Sequence, residues 1–443
     1  MENFYGGYMK IECSDHVLAE KTGRTVAAVF SPKNKKNPLV VVGHDGGVSA
    51  GSIYDSVCRG ISSAGVVAEK SGVLIPPVIS CLTGLHDADS GIMITSSEDG
   101  KFCEIRLYAG GGHKLSHETW SEIKRIIFNA PEELEKRIRT RKGGVIIYEN
   151  AVEEYIDFIK KSVGQSFQGM KIAVRCPDGN NDIAVKLFSE LNAEVHIIPE
   201  DDIYFISAKS CHCGFIFGNN CECCTVIDEN NVTLDNDRLS AVFAKFCKEN
   251  NLLKNNTFVV TYGAGYGFMR FAEENNISVV MAGFDEKSVI TKMLAGGYNY
   301  GTDNNGRIIF LDEMPAGDGF FTAVKLLSIM KRTRLPLSQL ADMKHYSQMI
   351  LDVDIPPEFR EIWKNDCVIT EHIANYIHLF GNRAKLSVHE NPEKTSINIT
   401  AEGMDYNDIN EAVNSIAEKI RERIPERSIN FENSTKLDRL QNY

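Results

Sequence analysis

The sequence predicts an α/β protein in which three α/β units are followed by a small α+β unit. Short apolar runs of strand length, such as Val40-Val41-Val42, alternate with segments of helical periodicity along most of the chain. This alternation is typical of parallel or mixed sheets that are covered by helices. A length of 443 residues is too great for one compact core, which also favours several domains. Beyond Asp366 the pattern changes to a separate set of helices and strands, which indicates the α+β unit.

Each unit has its own predicted elements. Residues 1–147 contain predicted strands at 38–42, 66–68 and 91–94, a helix with the apolar face Ile53, Val57 and Ile61, and a charged helical connector at 118–142. Residues 148–250 contain strands at 171–174, 193–198 and 215–217 and a helix at 182–191. Residues 251–360 contain strands at 257–261, 277–280 and 308–311 and a long helix that begins at Asp318-Gly319. In residues 361–443, the segments 366–380, 384–388 and 395–400 and a helix at 407–423 make up the predicted α+β unit.

Composition and charge narrow the class of protein. A net charge of −12 argues against binding to nucleic acid or to anionic membrane surfaces. No apolar run reaches the length of a membrane span, and the stretch from Met1 to Lys10 lacks the pattern of a signal peptide. We therefore expect a cytoplasmic protein whose twelve cysteines are mostly reduced thiols.

Four short motifs lie in the first and third units. They are Gly43, Asp45 and Ser49 in one turn, the run Gly91-Ile92-Met93-Ile94-Thr95-Ser96-Ser97, the pair Lys114-Leu115, and Ala316-Gly317-Asp318-Gly319. With the predicted domain order, these stretches resemble the α-D-phosphohexomutases, and most closely the phosphoglucosamine mutase and phosphomannomutase branch. The resemblance implies three phosphohexomutase-type α/β domains and a small C-terminal α+β domain around a central cleft.

The resemblance also implies a chemistry. Ser97 matches the family phosphoserine, which exchanges a phosphoryl group with a sugar phosphate while a magnesium ion neutralises the moving charge. Members of the family often dimerise through the first domain, so the resemblance implies a homodimer or a mixed dimer with a true mutase. The expected ligand is a sugar phosphate.

The stretches that carry this chemistry in the family are altered here. The serine loop reads Ser97-Glu98-Asp99-Gly100 instead of Ser-His-Asn-Pro, so acidic residues follow the serine. The metal loop should read Asp-Gly-Asp-Gly-Asp-Arg, but Gly218, Asn220 and Glu222 hold the aspartate positions and Cys223 holds the arginine position. Since magnesium prefers several carboxylate oxygens, we expect at most weak binding at Asn220 and Glu222.

The remaining family loops differ in the same way. The sugar loop reads Asp303-Asn304-Asn305-Gly306-Arg307 in place of Glu-x-Ser-Gly-His. The resemblance implies substrate contacts from Asp303, Asn305, Arg307, Glu286 and Lys287. The C-terminal phosphate loop falls at 389–395 and lacks its glycine, and His44 and Gly47 replace two arginines of the first turn.

A cluster of cysteines surrounds the metal-loop position. Cys211, Cys213, Cys221, Cys223 and Cys224 lie within fourteen residues, and His212 lies between the first two. Zinc or an iron–sulfur cluster is one interpretation of so many soft ligands. The alternative is a set of small buried residues that a reducing cytoplasm tolerates.

These observations leave three hypotheses. The first is a regulatory or sugar-phosphate-binding pseudoenzyme that has lost phosphoryl transfer, because all of the catalytic loops are altered while the scaffold pattern remains. The second is an active but divergent phosphosugar mutase that uses Ser97. The third is a metal- or redox-responsive protein that uses the cluster from Cys211 to Cys224.

Overall fold

The computed structural model describes residues 4–5, 8–31, 34–97, 99–139, 143–177, 181–199, 204–360, 362–391 and 395–424. The described residues form four sheets with helices. They divide into two compact units. One contains the described residues up to Thr261 together with Val280–Ala341, and the other contains Tyr262–Val279 together with those from Asp342 onward.

The first sheet is mixed and carries the serine loop. Its strands are β1 (Phe4–Tyr5), β2 (Tyr8–Glu12), β3 (Leu39–His44), β4 (Val67–Val73), β5 (Ser90–Ser96), β6 (Phe102–Ala109) and β7 (Gly144–Ile147). Their order is β1-β2-β6-β5-β3-β4-β7, and β5, β3, β4 and β7 are parallel. The associated helices are α1 (His16–Phe30), α2 (Val48–Ser63), α3 (Pro76–Leu85), α4 (His117–Asn129) and α5 (Pro131–Arg137). Val40, Val41 and Val42 are fully buried because β3 lies in the centre of this sheet.

The second sheet carries the metal-loop position. Its strands are β8 (Lys171–Arg175), β9 (Glu194–Ile197), β10 (Cys213–Phe217), β11 (Cys224–Asp228) and β12 (Thr233–Leu234). The order is β12-β11-β10-β8-β9, in which β9, β8 and β10 are parallel and β10 and β11 form an antiparallel hairpin. The helices of this region are α6 (Ala151–Val163), α7 (Asn181–Glu190), α8 (Phe205–Ala208) and α9 (Asn236–Glu249).

The third sheet carries the sugar-loop position. Its strands are β13 (Thr257–Thr261), β14 (Ser278–Ala282), β15 (Tyr300–Thr302) and β16 (Ile308–Phe310), in the order β14-β13-β15-β16. Along this part of the chain, α11 (Glu286–Gly296), α12 (Gly319–Thr333) and α13 (Leu337–Leu340) belong to the first compact unit, and α10 (Tyr266–Glu274) belongs to the second. Asp318 caps α12, because its carboxylate accepts a hydrogen bond from the backbone N–H of Phe321.

The fourth sheet is antiparallel and packs against two helices. It contains β17 (Ser347–Asp354), β18 (Ala384–Asn391) and β19 (Ser396–Gly403) in the order β17-β19-β18, with helices α14 (Cys367–Phe380) and α15 (Tyr406–Arg423). Alternate residues of β19, among them Ile397 and Ile399, face a core that includes Ile409 and Val413 of α15. The expected boundary at residue 361 assigns β17 to the third domain, whereas the structure pairs β17 with β19.

The predicted fold class is confirmed, and most predicted strands and helices lie within a few residues of the observed ones. The charged segment at 118–142 is more than a solvated connector, because Ile123, Ile126 and Ile127 of α4 are buried. The described helices include none that is long and apolar enough to cross a bilayer.

Candidate active site

Asp45 joins the first turn to the serine loop. It follows β3, and its Oδ2 accepts a hydrogen bond from the backbone N–H of Ser96 at 2.6 Å. Its Oδ1 accepts from the backbone N–H of Gly47 at 2.9 Å. Because β3 and β5 are parallel neighbours, both loops emerge at the carboxyl end of the sheet, where ligands usually bind in such folds.

Ser97 has a carboxylate as its nearest neighbour. Its Oγ donates to Oδ1 of Asp99 at 2.6 Å and accepts from the backbone N–H of Phe102 at 3.1 Å. The hydrogen bond from Ser97 holds the pKa of the exposed Asp99 below its ordinary value. A phosphoryl group on Ser97 would therefore lie beside a fixed negative charge. The other acidic neighbour, Glu98, lies outside the described residues.

The metal-loop position is the turn of the β10–β11 hairpin. Phe217 pairs with Cys224, and residues 218–223 form the connection. The carbonyl oxygen of Cys221 accepts a hydrogen bond from the N–H of Gly319 at 2.8 Å. A Cβ atom on Gly319 would lie 2.7 Å from the carbonyl oxygen of Cys223, so only glycine lets α12 begin this close to the loop.

The two potential oxygen ligands of this loop are already engaged. With the Asn220 amide oriented so that its oxygen faces Arg106, that oxygen accepts hydrogen bonds from Nη1 and Nη2 at 3.2 and 3.1 Å. Glu222 is only 3% exposed, and Nζ of Lys114 lies 2.9 Å from its Oε1. Nη2 of Arg307 lies 2.9 Å from its Oε2. Burial opposes ionisation, but these two cations lower the pKa of Glu222 below its ordinary value, so it remains a carboxylate.

The sugar-loop residues lie against the same carboxylate. Arg307 also donates to Oδ2 of Asp303 at 2.8 Å, and Oδ1 of Asp303 accepts from the N–H groups of Asn305 and Arg307 at 2.9 Å. Gly306 has φ +75°, a left-handed conformation that suits the glycine of this turn. Of the implied substrate residues, the structure thus brings Asp303 and Arg307 into the site and places the backbone of Asn305 beside them.

Glu286 completes the group. Its Oε2 lies 2.6 Å from Nζ of Lys114, and its Oε1 accepts from the N–H of Gly317 at 2.7 Å. Lys287 follows it at the start of α11, is half-buried, and makes no ion pair or hydrogen bond with any described residue. Lys287 is therefore a cation of this region that remains available to a ligand.

We name Lys114, Glu222, Glu286, Asp303 and Arg307 the ion cluster. Its members lie in loops next to the first three sheets or, for Glu286, at the start of α11, and its carboxylates are almost fully buried. Three carboxylates and two cations leave one net negative charge among these described side chains. The neighbouring carboxylates more than offset burial and raise the pKa values of Lys114 and Arg307, so both remain charged. The protein thus supplies its own cations at the metal-loop position.

The cysteines of the second sheet are dispersed over the same hairpin. Cys211 precedes β10, Cys213 begins it, Cys221 has φ +53° in the turn, and Cys224 begins β11. Burial raises the pKa values of Cys213, Cys221, Cys223 and Cys224, which favours neutral thiols. No group of three or more His, Cys, Asp or Glu side chains in the described ranges is placed to hold a metal ion. The soft-metal hypothesis stays a prediction, and the geometry lends it no support.

The first turn carries a neutral side chain at one of the positions that hold an arginine in the family. Burial lowers the pKa of His44 below its ordinary value, so this replacement for an arginine is neutral near pH 7. Residues 389–391 end β18, while residues 392–394 of the expected phosphate loop lie outside the described part of the chain.

Two site residues were not predicted from the sequence as functional. Lys114 was recognised only as part of a Lys-Leu family match, and its ion pairs join residues more than one hundred positions apart. Arg106 lies on β6 with no motif around it, and no signal in the sequence relates it to Asn220.

Comparisons with known proteins agree with this architecture. Residues 7–134 match the model of phosphoglucomutase/phosphomannomutase alpha/beta/alpha domain I, and residues 235–346 match that of domain III. A phosphoglucosamine mutase of Clostridium perfringens is 30% identical over 423 residues, which cover 91% of this chain and 94% of that protein. The chain belongs to the phosphoglucomutase/phosphomannomutase family.

Two solved structures share the fold of this chain. A phosphoglucomutase/phosphomannomutase family protein from Burkholderia thailandensis matches with a TM-score of 0.74 at 17% identity, over 95% of this chain and 96% of the other. N-acetylphosphoglucosamine mutase from Aspergillus fumigatus, solved with GlcNAc-6P and magnesium, matches with a TM-score of 0.62 at 11% identity, over 94% of each chain.

Magnesium does not fit the corresponding loop of this family member. Gly218 has no side-chain oxygen, the amide of Asn220 is bound by Arg106, and the carboxylate of Glu222 is bound by two cations. Magnesium requires near-octahedral oxygen coordination and is usually held by at least one free carboxylate.

Proposed function

We propose that this protein is a phosphohexomutase-family pseudoenzyme, regulatory or sugar-phosphate-binding, that has lost phosphoryl transfer. The observation that carries the proposal is the occupancy of Glu222, whose two oxygens lie 2.9 Å from Lys114 and from Arg307. A divalent cation at this carboxylate would have to displace both positive groups or lie within their repulsion. The neutralisation that phosphoryl transfer needs from a metal is then missing.

The surroundings of Ser97 support the same conclusion. The carboxylate of Asp99 accepts a hydrogen bond from the Ser97 hydroxyl and would repel a phosphoryl group there. The first turn offers a neutral His44 and Gly47 rather than two arginines, so it adds no charge to hold the incoming phosphate.

Lys287 and the sugar loop support the binding of a sugar phosphate. Lys287 has no described partner, and it lies in the same compact unit as the sugar loop. A phosphate oxygen can pair with such an ammonium group in a charge-assisted hydrogen bond.

Phosphoryl transfer is tested by intact-protein mass spectrometry. The protein is incubated with glucose 1,6-bisphosphate and magnesium, and the Clostridium perfringens phosphoglucosamine mutase serves as the positive control. We expect no phosphoryl gain on this chain while the control is labelled. A gain that maps to Ser97 and disappears in Ser97→Ala would overturn the proposal.

Ligand binding is tested by calorimetry with GlcNAc-6P as the probe. We expect binding that weakens roughly tenfold in Lys287→Gln, which corresponds to about 1.4 kcal/mol for one charge-assisted contact. Lys292→Gln is the matched control, since Lys292 is exposed on the same helix. Equal affinity of the two variants would mean that Lys287 does not contact the ligand. The absence of binding heat with the wild-type protein would reject sugar-phosphate binding.

A specific contact favours one alternative, an active and divergent phosphosugar mutase. The 2.6 Å hydrogen bond from Ser97 to Asp99 is of the kind through which a carboxylate acts as a general base toward a hydroxyl nucleophile. On this alternative, Asp99→Asn abolishes the phosphoryl gain seen with the wild-type protein. On the pseudoenzyme proposal, neither protein is labelled.

A further inference from the structure

Cys13 and Cys103 bring two thiols into contact although they are ninety positions apart in the sequence. Their Sγ atoms are 3.2 Å apart. Cys13 is half-buried and packs against the core that contains the fully buried Cys103. Cys13 directly follows β2 and Cys103 lies on β6, both strands of the first sheet, so this contact is a feature separate from the cluster at Cys211 to Cys224.

The strand register produces this contact. In the antiparallel pairing of β2 with β6, Ile11 is opposite Cys103 and Glu12 is opposite Phe102. Cys13 continues the ladder by one position, because its N–H donates to the carbonyl oxygen of Lys101 at 3.0 Å. Lys101 directly precedes β6, and by the alternation of side chains along a strand it shares a face of the sheet with Cys103, so the side chain of Cys13 meets that of Cys103 diagonally.

We propose that Cys13 and Cys103 form an intramolecular disulfide when a small-molecule disulfide oxidises the folded protein. The Cys13 thiolate attacks one sulfur of the oxidant, a mixed disulfide forms, and one small thiolate leaves. Cys103 then loses its proton to solvent and attacks the Cys13 sulfur, which releases the second small thiolate. The two protein thiols are oxidised, and one disulfide is reduced to two thiols.

The order of these steps follows from exposure. Cys13 is within reach of solvent, whereas Cys103 is enclosed by the core of the first sheet. Burial, together with the neighbouring Cys13, raises the pKa of Cys103 above its ordinary value, which makes it a slow first nucleophile. Once Cys13 carries the mixed disulfide, contact distance compensates for that low reactivity.

The cross-link would act on the serine loop. Ser97 donates its backbone N–H to the carbonyl oxygen of Phe102 and accepts from the N–H of Phe102 through Oγ. Cys103 is the next residue and pairs with Ser96 in the sheet. A covalent bond from Cys13 to Cys103 therefore restrains the paired strand ends, Ser96 and Cys103, from which the loop with Ser97 extends. This consequence does not depend on whether Ser97 carries phosphate.

Peptide mapping tests the proposal on the full-length protein. The folded protein is treated with glutathione disulfide, the remaining thiols are alkylated, and the protein is digested with trypsin. Cys13 lies in the peptide Ile11–Lys21 and Cys103 in Phe102–Arg106, and neither peptide contains another cysteine. We expect these two peptides to appear linked, with an intact mass about 2 Da lower for the loss of two hydrogen atoms.

Two variants and the denatured wild-type protein serve as controls. Cys13→Ser should abolish the linked pair, while Cys367→Ser, which removes an exposed thiol of α14, should leave it unchanged. Oxidation in denaturant should spread the cross-links over several cysteines, because proximity is then lost. A stable glutathione adduct on Cys13 with Cys103 still alkylated would contradict the proposal, as would no oxidation of either residue.

Amide hydrogen exchange measures the effect on the serine loop. We expect oxidation to slow exchange at Ser97 and Phe102 in the wild-type protein, since the strand end that holds them is restrained. The Cys13→Ser variant, treated in the same way, should show no change. Equal exchange in oxidised and reduced wild-type protein would reject the link to the loop, even if the disulfide forms.

Discussion

The ammonium group of Lys114 lies 2.9 Å from the carboxylate of Glu222, at the position where the family metal loop has an aspartate. Lys114 follows β6 of the first sheet, and Glu222 lies in the β10–β11 turn of the second. The same ammonium group lies 2.6 Å from Glu286 at the start of α11. A lysine thus joins loops of three sheets at the centre of the candidate site.

Lys114→Met should destabilise the protein by about 3 kcal/mol, because it leaves two buried carboxylates with fewer positive partners. Urea denaturation followed by circular dichroism measures the loss in the first unfolding transition. The double variant Lys114→Met/Glu222→Gln should lose less than the sum of the single variants, since the unpaired charge is removed as well. Lys292→Met, at an exposed position, is the control. Strict additivity would mean that the two residues do not interact.

His86 should give the protein a pH-dependent stability. Its Nδ1 lies 2.9 Å from Glu69 and its Nε2 lies 2.9 Å from Glu154, and the hydrogen bond with Glu69 is the main cause that raises the pKa of His86 to about 9. Because the folded-state pKa exceeds the ordinary value of 6.5, the stabilisation is complete below pH 6.5 and is lost as the pH rises through about 9.

His86→Gln should therefore lower the melting temperature most at acidic to neutral pH. The difference between wild type and variant should shrink when the pH is raised above 9, where wild-type His86 becomes neutral. Scanning calorimetry across this range measures the difference directly and cancels the titration of other groups. A difference that does not depend on pH would show that His86 is neutral in the folded protein.

Gly319→Ala should disturb the turn of residues 218–223. The added Cβ would lie 2.7 Å from the carbonyl oxygen of Cys223 and 2.9 Å from that of Cys221, and neither backbone group can move without shifting the hairpin. We expect a loss of about 1–3 kcal/mol in unfolding free energy, which is typical of overpacking. Gly144→Ala is the matched control, because a Cβ there meets no atom within 4 Å. Equal stability of the two variants would contradict the close approach.

Asp318→Asn should leave the protein at least as stable at neutral pH. Asp318 is buried, its oxygens accept from Phe321 N–H and Tyr155 Oη–H, and burial raises its pKa to about 6. A raised carboxyl pKa means that the stability of the wild-type protein falls as the pH rises through about 6, because the charge must then be held in the interior. An asparagine keeps the helix cap without that charge.

Asp318→Ala is the contrasting variant. It removes the cap and the partner of Tyr155, and we expect it to cost about 1–2 kcal/mol. The unfolding free energies of the three proteins, measured above and below pH 6, test the sign. A large loss in Asp318→Asn at neutral pH would mean that the negative charge itself is required.

Local patterns in the sequence were sufficient for most of the fold. The apolar run at Val40–Val42 and the helical repeat of Ile53, Val57 and Ile61 need only their neighbours to specify a strand and a helix. The strand Ser347–Asp354 was missed, because exposed and half-buried residues alternate in it without a strong apolar run. Its pairing with β19 is a non-local contact that no window of the sequence contains.

The sequence by itself determined the family scaffold and the chemical identity of the altered loops. Gly218, Asn220 and Glu222 stand at the aspartate positions of the family metal loop, and their chemical identity alone makes this loop a poor set of magnesium ligands. Only the tertiary structure decided that Glu222 is neutralised by Lys114 and Arg307, and that Cys13 contacts Cys103. Ion pairs and thiol contacts act over a few ångströms, and chain folding brings together side chains whose separation in sequence carries no such information.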